Sequence, residues 1–472
     1  MARINTNVAS LFAQQGLAKS QQSLNQTLQH LSTGLRINTG ADDPAGLIAS
    51  EELRSEIAGI NQAVDNSQRA TNVISTAEGS LNEVASMLLN IKSLVVQAAN
   101  SGALSPDEIQ ANQLQVDSAV QSITRISDTT TFAGLHLIDG SLDYLTSGVN
   151  TSAIQALHIS QANFGTNTSM PVQVNVLTSA KHADLAFKAS AIGTSVTLEV
   201  AGNNGTQVLT FTSGTHASAI AYAVNTVSDS TGVIASASPT SGVAFHSTGY
   251  GSRSFVSVTA QSGQFKTVDA TGSAKNRVVG RDAVATVNGA LTVGDGLTLK
   301  LNTSGLDLDM TLSNKFGAGR TSFAITGGGA LFQLGAQVTS NQQVSIGIQS
   351  VAASKLGDGD VGFLSDIVTG GASSLVAGKS GQASQVIERA ILQVAVLRGR
   401  LGAFEKNTLN TNINSQNVAM ENVTSSESTI RDADFAAETA ALTRAQILTQ
   451  AGTSVLATAN ATPQSVLTLL GR

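Results

Sequence analysis

The sequence contains no cysteine and no tryptophan, and only five prolines occur among its 472 residues. Without cysteine the chain can form no disulfide bond, no thiolate nucleophile and no cysteine-ligated metal site. Aromatic residues make up only 4% of the chain, against 41% for hydrophobic residues as a whole. Burial must therefore come mainly from Leu, Ile, Val and Ala, which favours extended helix packing over one bulky globular core.

Long apolar runs and clusters of positive charge are also missing. No stretch approaches the roughly 20 apolar residues of a membrane-spanning helix, and the first 35 residues lack the pattern of a secretory signal peptide. The formal net charge is −6, with no dense run of Lys or Arg. We therefore expect no membrane insertion, no nucleic-acid partner, and either a cytoplasmic location or export without a cleaved signal.

No catalytic or metal-binding motif is present. None of the six histidines belongs to a His-Glu-x-x-His motif, and no Gly-x-Ser-x-Gly turn is followed by a plausible triad. His182 and Asp184 are interpreted as a surface pair, and Asp358-Gly359-Asp360 as a loop that lacks the spaced ligands of a calcium site. The sequence predicts no enzyme, no cofactor and no bound metal.

The N-terminal part of the chain is predicted to be helical. Leucines recur every seven residues from Leu17, and after a break Asp43 can cap a new helix that begins at Pro44. That helix is expected to reach about Ala99, and Ser105 with Glu108 predicts a capping box on a third helix. The apolar positions of the first two helices are Leu17, Leu24, Leu28, Leu31 and Leu35, then Ile60, Ile74, Leu81, Leu88 and Val95.

The C-terminal part repeats this helical pattern. Asp432 is expected to cap the final helix, and Arg431 to pair with a carboxylate on a neighbouring helix. Neither end can bury its apolar stripe alone, so we expect the two ends to pack on each other. The apolar positions are Val394, Leu397, Leu401 and Phe404, then Phe435, Leu442, Leu448, Val455 and Leu456.

The middle, from about Thr129 to Leu375, is rich in Gly, Ser and Thr. Its short apolar runs alternate with polar residues, and turn pairs such as Asn288-Gly289 separate them, which is typical of β-strands. We therefore predict an α+β multidomain protein. Its long antiparallel N- and C-terminal helices pack as a coiled-coil rod, and a β-rich middle region is inserted between them.

Motifs at both ends resemble those of bacterial flagellins. The matching blocks cover about residues 1–140 and 331–472, and their order and spacing are those of the family. The motifs include Ile4-Asn5-Thr6-Asn7-Val8, Leu31-Ser32-Thr33-Gly34-Leu35-Arg36-Ile37-Asn38, Ile430-Arg431-Asp432-Ala433-Asp434 and Ile447-Leu448-Thr449-Gln450-Ala451-Gly452.

The resemblance implies a secreted, extracellular subunit of the flagellar filament that serves swimming motility. The implied partners are further copies of the chain, the type III export apparatus and a chaperone, and the hook-associated junction and cap proteins. The implied segments are 1–43 and 433–472 as the two parts of an inner helical domain, 44–180 and 331–432 as an outer helical rod domain with a β-hairpin region, and 181–330 as a variable, solvent-facing insert.

These patterns predict roles for two sets of residues. The subunit-packing set comprises Leu17, Leu24, Leu28, Leu31, Leu35, Phe435, Leu442, Leu448, Val455 and Leu456. The rod-core set comprises Ile60, Ile74, Leu81, Leu88, Val95, Val394, Leu397, Leu401 and Phe404. Because an isolated end helix gains little by folding alone, we expect roughly the first 35 and last 40 residues to order on assembly.

A host innate immune receptor is a further partner that the resemblance implies. The family pattern at its contact is Leu-Gln-Arg-x-Arg-Glu-Leu, but residues 88–94 of this chain read Leu-Leu-Asn-Ile-Lys-Ser-Leu. Lysine lacks the planar fork of arginine, so we expect weakened receptor activation; simple solvated positions are an equally valid interpretation. The candidate face is Leu89, Asn90, Lys92, Leu94 and Gln115.

Two alternative functions remain open from the sequence. A related axial protein of the hook–filament junction would share the helical ends, and copy number would distinguish it from a filament subunit. A flagellin whose insert acts as an adhesin is the other alternative, and glycan or cell binding by the insert would test it.

Overall fold

A computed structural model describes residues 6–165, 167–238, 242–303 and 305–470, with the backbone alone for 463–470. Ile4 and Asn5 of the N-terminal motif lie outside these residues. Helices at both ends flank a β-rich middle, which confirms the predicted fold class.

The described part of the chain contains eight α-helices. A π-helical turn at Glu405–Leu409 joins the sixth to the seventh, and two short 3-10 helices occupy Ser340–Gln342 and Leu364–Ile367. The helices are α1 (Val8–Thr33), α2 (Pro44–Ala98), α3 (Pro106–Thr129), α4 (Ala217–Thr226), α5 (Ser228–Thr231), α6 (Ser380–Phe404), α7 (Asn410–Arg431) and α8 (Phe435–Leu470).

Local capping explains where the N-terminal helices begin. The Asp43 carboxylate accepts a hydrogen bond from the Gly46 N–H at 2.9 Å, so Asp43 caps α2 as predicted. Ser105 and Glu108 form the predicted reciprocal capping box at the start of α3. Gly34 ends α1 with a φ of +74°, a conformation that costs glycine little.

The predicted cap of the final helix is wrong by two residues. Asp434, directly before Phe435, accepts the N–H of Ala436 at 2.9 Å and so caps α8. Asp432 instead accepts a hydrogen bond from the Ser428 hydroxyl at 2.6 Å, at the end of α7. Because both positions are Asp, composition alone cannot separate the two caps.

The chain forms two compact units. Within the described residues, the first unit comprises 1–69, 333–338 and 408–472, and the second comprises 70–332 and 339–407. Each unit is therefore built from chain segments that are distant in sequence. The five segment boundaries drawn from the sequence stay predictions.

In the second unit, α2 and α6 run antiparallel. Lys92 pairs with Glu388 at 3.1 Å, and Glu78 pairs with Arg398 at 3.8 Å. The later residue on α2 therefore contacts the earlier residue on α6, as in an antiparallel pair. Phe404 is half-buried, with its ring centroid 6.1 Å from that of Phe332. The buried rod-core residues of this unit are Ile74, Leu81, Leu88, Val95, Val394, Leu397 and Leu401; Ile60 is buried in the first unit.

The strands alternate buried and exposed side chains, as period-two patterns dictate. They are β1 (Thr131–Phe132), β2 (Leu135–His136), β3 (Tyr144–Ser147), β4 (Ile154–Ala162), β5 (Met170–Thr178), β6 (His182–Phe187), β7 (Val196–Ala201), β8 (Thr206–Phe211), β9 (Val233–Ser238), β10 (Gly242–Tyr250), β11 (Phe255–Ser262), β12 (Arg277–Val279), β13 (Val284–Val287), β14 (Ala290–Val293), β15 (Thr298–Asn302), β16 (Leu306–Leu312), β17 (Gly319–Gly328), β18 (Ala330–Gln333), β19 (Gln343–Ile346), β20 (Gly357–Asp358) and β21 (Gly362–Phe363).

A first β-module packs a five-stranded sheet, ordered β14-β13-β5-β17-β3, with a three-stranded sheet, ordered β15-β16-β4. One continuous apolar core, including Val174, Leu308 and Phe323, draws on both sheets. Asn288 (φ +47°) and Gly289 (φ +86°) form the two-residue turn between β13 and β14, as the Asn-Gly pair predicts.

A second β-module is inserted between β5 and β13. It contains a three-stranded sheet, ordered β6-β10-β9, a four-stranded sheet, ordered β12-β11-β7-β8, and α4. Its separate core includes Phe245, Leu198 and Ile220.

Adjacent leucines on α2 allow a matched test of the second unit. Leu88 is fully buried, whereas Leu89 is 58% exposed. Because Leu88→Ala leaves a cavity, we expect it to lower the free energy of unfolding by about 2–5 kcal/mol. Leu89→Ala should change it by no more than about 0.5 kcal/mol. Guanidinium unfolding followed by circular dichroism measures both, and equal effects would contradict the assigned core.

Candidate assembly interface

Helices α1 and α8 form an antiparallel pair in the first unit. The Asn7 side-chain amide donates to the carbonyl of Ala459 at 2.8 Å, near one end of the pair. At the other end, His30 Nδ1 lies 2.9 Å from Glu438 Oε1. These contacts bring the N- and C-terminal ends of the chain together, as the two unsatisfied stripes predicted.

A glycine sets the close approach of the two helices at mid-length. A Cβ atom at Gly452 would lie 3.3 Å from Leu17 Cδ1, tighter than most real Cβ contacts. A side chain there would require Leu17 to shift by a few tenths of an ångström. Gly452 therefore acts as a packing residue, although it lies inside a helix where glycine is intrinsically unfavourable.

Most apolar side chains along the pair are half-buried or exposed, and few are removed from solvent as core residues are. The buried side chains of α1 are Ser10, Thr27 and His30, all of them polar. On α8 the described side chains include one buried apolar residue, Ala445. Burial of apolar surface is the main favourable term in folding, so this pair is weakly held on its own.

The subunit-packing residues expected from the sequence divide into two groups. The first group is half-buried along the helix pair: Leu17, Leu24, Leu31, Leu35, Leu442 and Leu456. The second group is exposed: Leu28, Phe435, Leu448 and Val455. Heptad spacing located the apolar stripe, but it could not say which members face the partner helix and which face outward.

Further exposed apolar residues of α1 and α8 were missed. Phe12 is 70% exposed on α1, and Leu11 beside it and Ile447 on α8 are also exposed. A signal was available, because Phe12 is one of only 14 phenylalanines and stands in a polar helix. Such clustered apolar exposure marks a protein interaction surface.

Polar contacts hold α2 and α7 together in the first unit. Arg431 pairs with Glu51 at 2.7 Å, which confirms the expected pairing of Arg431 with a neighbouring carboxylate. The Arg431 hydrogen bond is the largest cause of the lowered pKa of Glu51. The Asn412 amide also bridges the Ser67 hydroxyl at 3.0 Å and the Leu334 carbonyl at 2.8 Å.

The candidate receptor face lies on α2 and α3. Leu89, Asn90 and Gln115 are exposed, and Lys92 and Leu94 are half-buried. The Lys92 ammonium forms an ion pair with Glu388 at 3.1 Å, so it is less available to a binding partner than a solvated lysine is.

The predicted pairing of His182 with Asp184 is wrong. Asp184 pairs with His246 across neighbouring strands, with 2.7 Å between the carboxylate and Nδ1, whereas His182 Nδ1 lies 3.2 Å from the Gly249 carbonyl. Side chains two residues apart on a strand share a face but lie farther apart than cross-strand neighbours.

No metal-binding group of three or more His, Asp or Glu side chains occurs within the described ranges. In the same ranges, no helix combines the length and apolarity that would let it cross a membrane.

Terminal helices with exposed apolar stripes around a β-rich middle are the architecture of a self-associating structural protein. A family model for the bacterial flagellin N-terminal helical region matches residues 4–143, and one for the C-terminal helical region matches residues 384–470. The B-type flagellin of Pseudomonas aeruginosa is 32% identical and the flagellin of Salmonella typhimurium 31% identical, each over 99% of both chains. The chain belongs to the bacterial flagellin family.

It is therefore a structural subunit of the extracellular bacterial flagellar filament and not an enzyme. Among solved structures, FlgL of Xanthomonas campestris covers 78% of this chain and 98% of its own at 14% identity. The TM-score of 0.28 is too low to show a shared fold.

Proposed function

We propose that the exposed apolar surface of the α1–α8 pair carries the contacts between subunits in the filament. The support is the outward position of Phe12, Phe435 and Leu448 on helices that share little apolar burial with each other. Neighbouring copies can cover these side chains by head-to-tail contacts, and such contacts extend into a helical polymer because they do not close.

The same weakness of the isolated pair supports assembly-linked ordering. An antiparallel helix pair whose buried positions include Ser10, Thr27 and His30 gains little free energy before its outer apolar stripe is covered. We therefore propose that α1 and α8 become stably ordered when copies stack. Ordering the two helices costs about 2–5 kcal/mol or more, and this cost reduces the net free energy of association.

We further propose the export apparatus with its chaperone and the hook-associated junction and cap proteins as partners. Motif resemblance and full-length similarity to flagellins support this proposal. A junction role for the chain itself is the weaker alternative. Copy number would distinguish the two roles, because a filament contains thousands of subunits whereas a junction protein forms a single ring.

The assembly surface is tested by a charge placed on it. Leu448 on α8 is 50% exposed, and Leu177 on β5 is 51% exposed, so Leu177 provides a matched control in the β-rich middle. Because a buried unpaired carboxylate is costly, we expect Leu448→Asp to abolish filament growth from added seeds; Leu24→Asp should do the same from a half-buried position along the helix pair. Leu177→Asp should still polymerise.

Electron microscopy and sedimentation after seeding with filament fragments measure the outcome. Circular dichroism of the monomers checks that the β-rich middle remains folded. Filaments of normal length from Leu448→Asp, or loss of growth by Leu177→Asp alone, would refute the assignment of the α1–α8 surface.

We also propose weak activation of the host innate immune receptor through the face on α2 and α3. Asn90 and Ser93 stand where the family pattern has Arg and Glu, and Lys92 replaces the second Arg. We expect a cell reporter to respond less to this chain than to a strongly agonistic flagellin.

Arginine substitutions on this face give the matched test. Asn90→Arg combined with Lys92→Arg should raise the reporter response, because both changes restore the planar guanidinium of the family pattern. Asn82→Arg, at an exposed position of the same helix outside the candidate face, adds the same charge and serves as the control. A response of the unmodified chain equal to the strong agonist would overturn the proposal.

A further inference from the structure

A cleft of about 440 Å³ lies within the second unit, between the three-stranded sheet and α6. The outer faces of β4, β15 and β16 form one wall, and α6 from Arg389 to Arg400 forms the other. The loop around Lys355 to Phe363 closes one end. This volume falls in the range of pockets that hold small molecules.

The sheet wall presents a row of ionisable side chains. Lys300, Asp309 and His158 are register partners across β15, β16 and β4, on the face opposite the apolar core. The Asp309 carboxylate is bound by the Arg400 guanidinium of α6. The negative charge of Asp309 is thereby matched, and the ammonium of Lys300 is left available.

The other two carboxylates that line the cleft also have partners, one in an ion pair and one in a hydrogen bond. Asp358 pairs with Arg389 at 2.7 Å, and Asp360 accepts a hydrogen bond from the Gln155 amide at 2.6 Å. Among the described residues, neither Lys300 nor Lys355 forms an ion pair within 4 Å. The next acid along β16, Asp307, does not line the cleft, although the positive charge of Lys300 acts on its carboxylate. The lining therefore holds four cationic side chains against three carboxylates, which leaves a net charge of +1, and its two lysines are exposed.

His158 adds a neutral hydrogen-bond donor. Burial, and then the nearby Arg400, lower the pKa of His158 below its usual range, so its ring is neutral at pH 7. The Gln349 side-chain amide lies 2.8 Å from His158 Nδ1. When that amide donates to Nδ1, the ring proton sits on Nε2.

The helix side of the cleft is partly apolar. Leu392 and Val396 on α6 are exposed large hydrophobic residues, and half-buried Phe363 lies in the same lining. The cleft therefore combines cationic and neutral donors on one side with an apolar strip on the other. A ligand that fits must carry a negative charge, hydroxyl groups and an apolar face.

We propose that this cleft binds a carboxylated monosaccharide of the hexuronic acid class. The carboxylate binds between the ammonium groups of Lys300 and Lys355, and a hydroxyl accepts from His158. The C–H face of the sugar ring packs on Phe363 and Val396. The site uses none of the residues of the proposed assembly surface.

Isothermal titration of the full chain with D-glucuronate tests the proposal, with D-glucose as the neutral counterpart and acetate as the bare carboxylate. We expect saturable binding of glucuronate and binding at least about tenfold weaker for both comparison ligands. Glucose lacks the carboxylate, and acetate lacks the sugar ring with its hydroxyl groups. Equal affinity for glucose or acetate, or no saturable binding of glucuronate, would overturn the proposal.

Matched lysine variants locate the site. Lys300→Gln and Lys355→Gln should each weaken glucuronate binding by about tenfold, since each removes a charge-assisted hydrogen bond. Lys315→Gln, an exposed lysine outside the cleft lining, should leave it unchanged. All three lysines are exposed, and thermal unfolding checks that the variants fold. An equal loss in Lys315→Gln, or none in the cleft variants, would contradict this location.

Discussion

The pairing of α1 with α8 is the interaction on which the polymer-forming role depends. It joins the two ends of the chain through contacts such as Asn7 with Ala459 and His30 with Glu438, yet its buried side chains are few and mostly polar. In a helix pair of this kind, only part of the apolar stripe is buried between the two helices. The remaining stripe gains its hydrophobic stabilisation when other copies cover it, so the weakness of the isolated pair becomes a driving force for assembly.

The β-rich middle obeys a different constraint, because it buries apolar cores of its own. Its two modules have separate cores, one including Leu308 and Phe323 and the other including Phe245 and Leu198. Cross-strand pairing and tight turns such as Asn288-Gly289 fix these modules locally. A middle with cores of its own can vary in sequence while the helical ends keep their packing.

Local rules predicted much of the fold from the sequence. Heptad spacing found the buried residues from Ile74 to Val95, and capping chemistry found Asp43 and the Ser105–Glu108 box, because each depends on neighbours within a few residues. Contacts between distant residues were harder. The sequence did not show that Asp184 meets His246, that Asp434 rather than Asp432 caps α8, or that Leu448 faces outward while Leu442 is half-buried. The cleft near His158 could not be predicted either, because its walls, β4 and α6, come from distant parts of the chain.

Amide hydrogen exchange before and after polymerisation tests most directly whether the end helices depend on neighbouring copies. We expect the backbone amides of α1 and α8 to exchange rapidly in the unpolymerised protein and to become strongly protected in filaments. Amides of α2 around Leu88, whose side chain is fully buried, should be protected in both states. Strong protection of α1 and α8 before polymerisation, equal to that of α2, would contradict assembly-linked ordering.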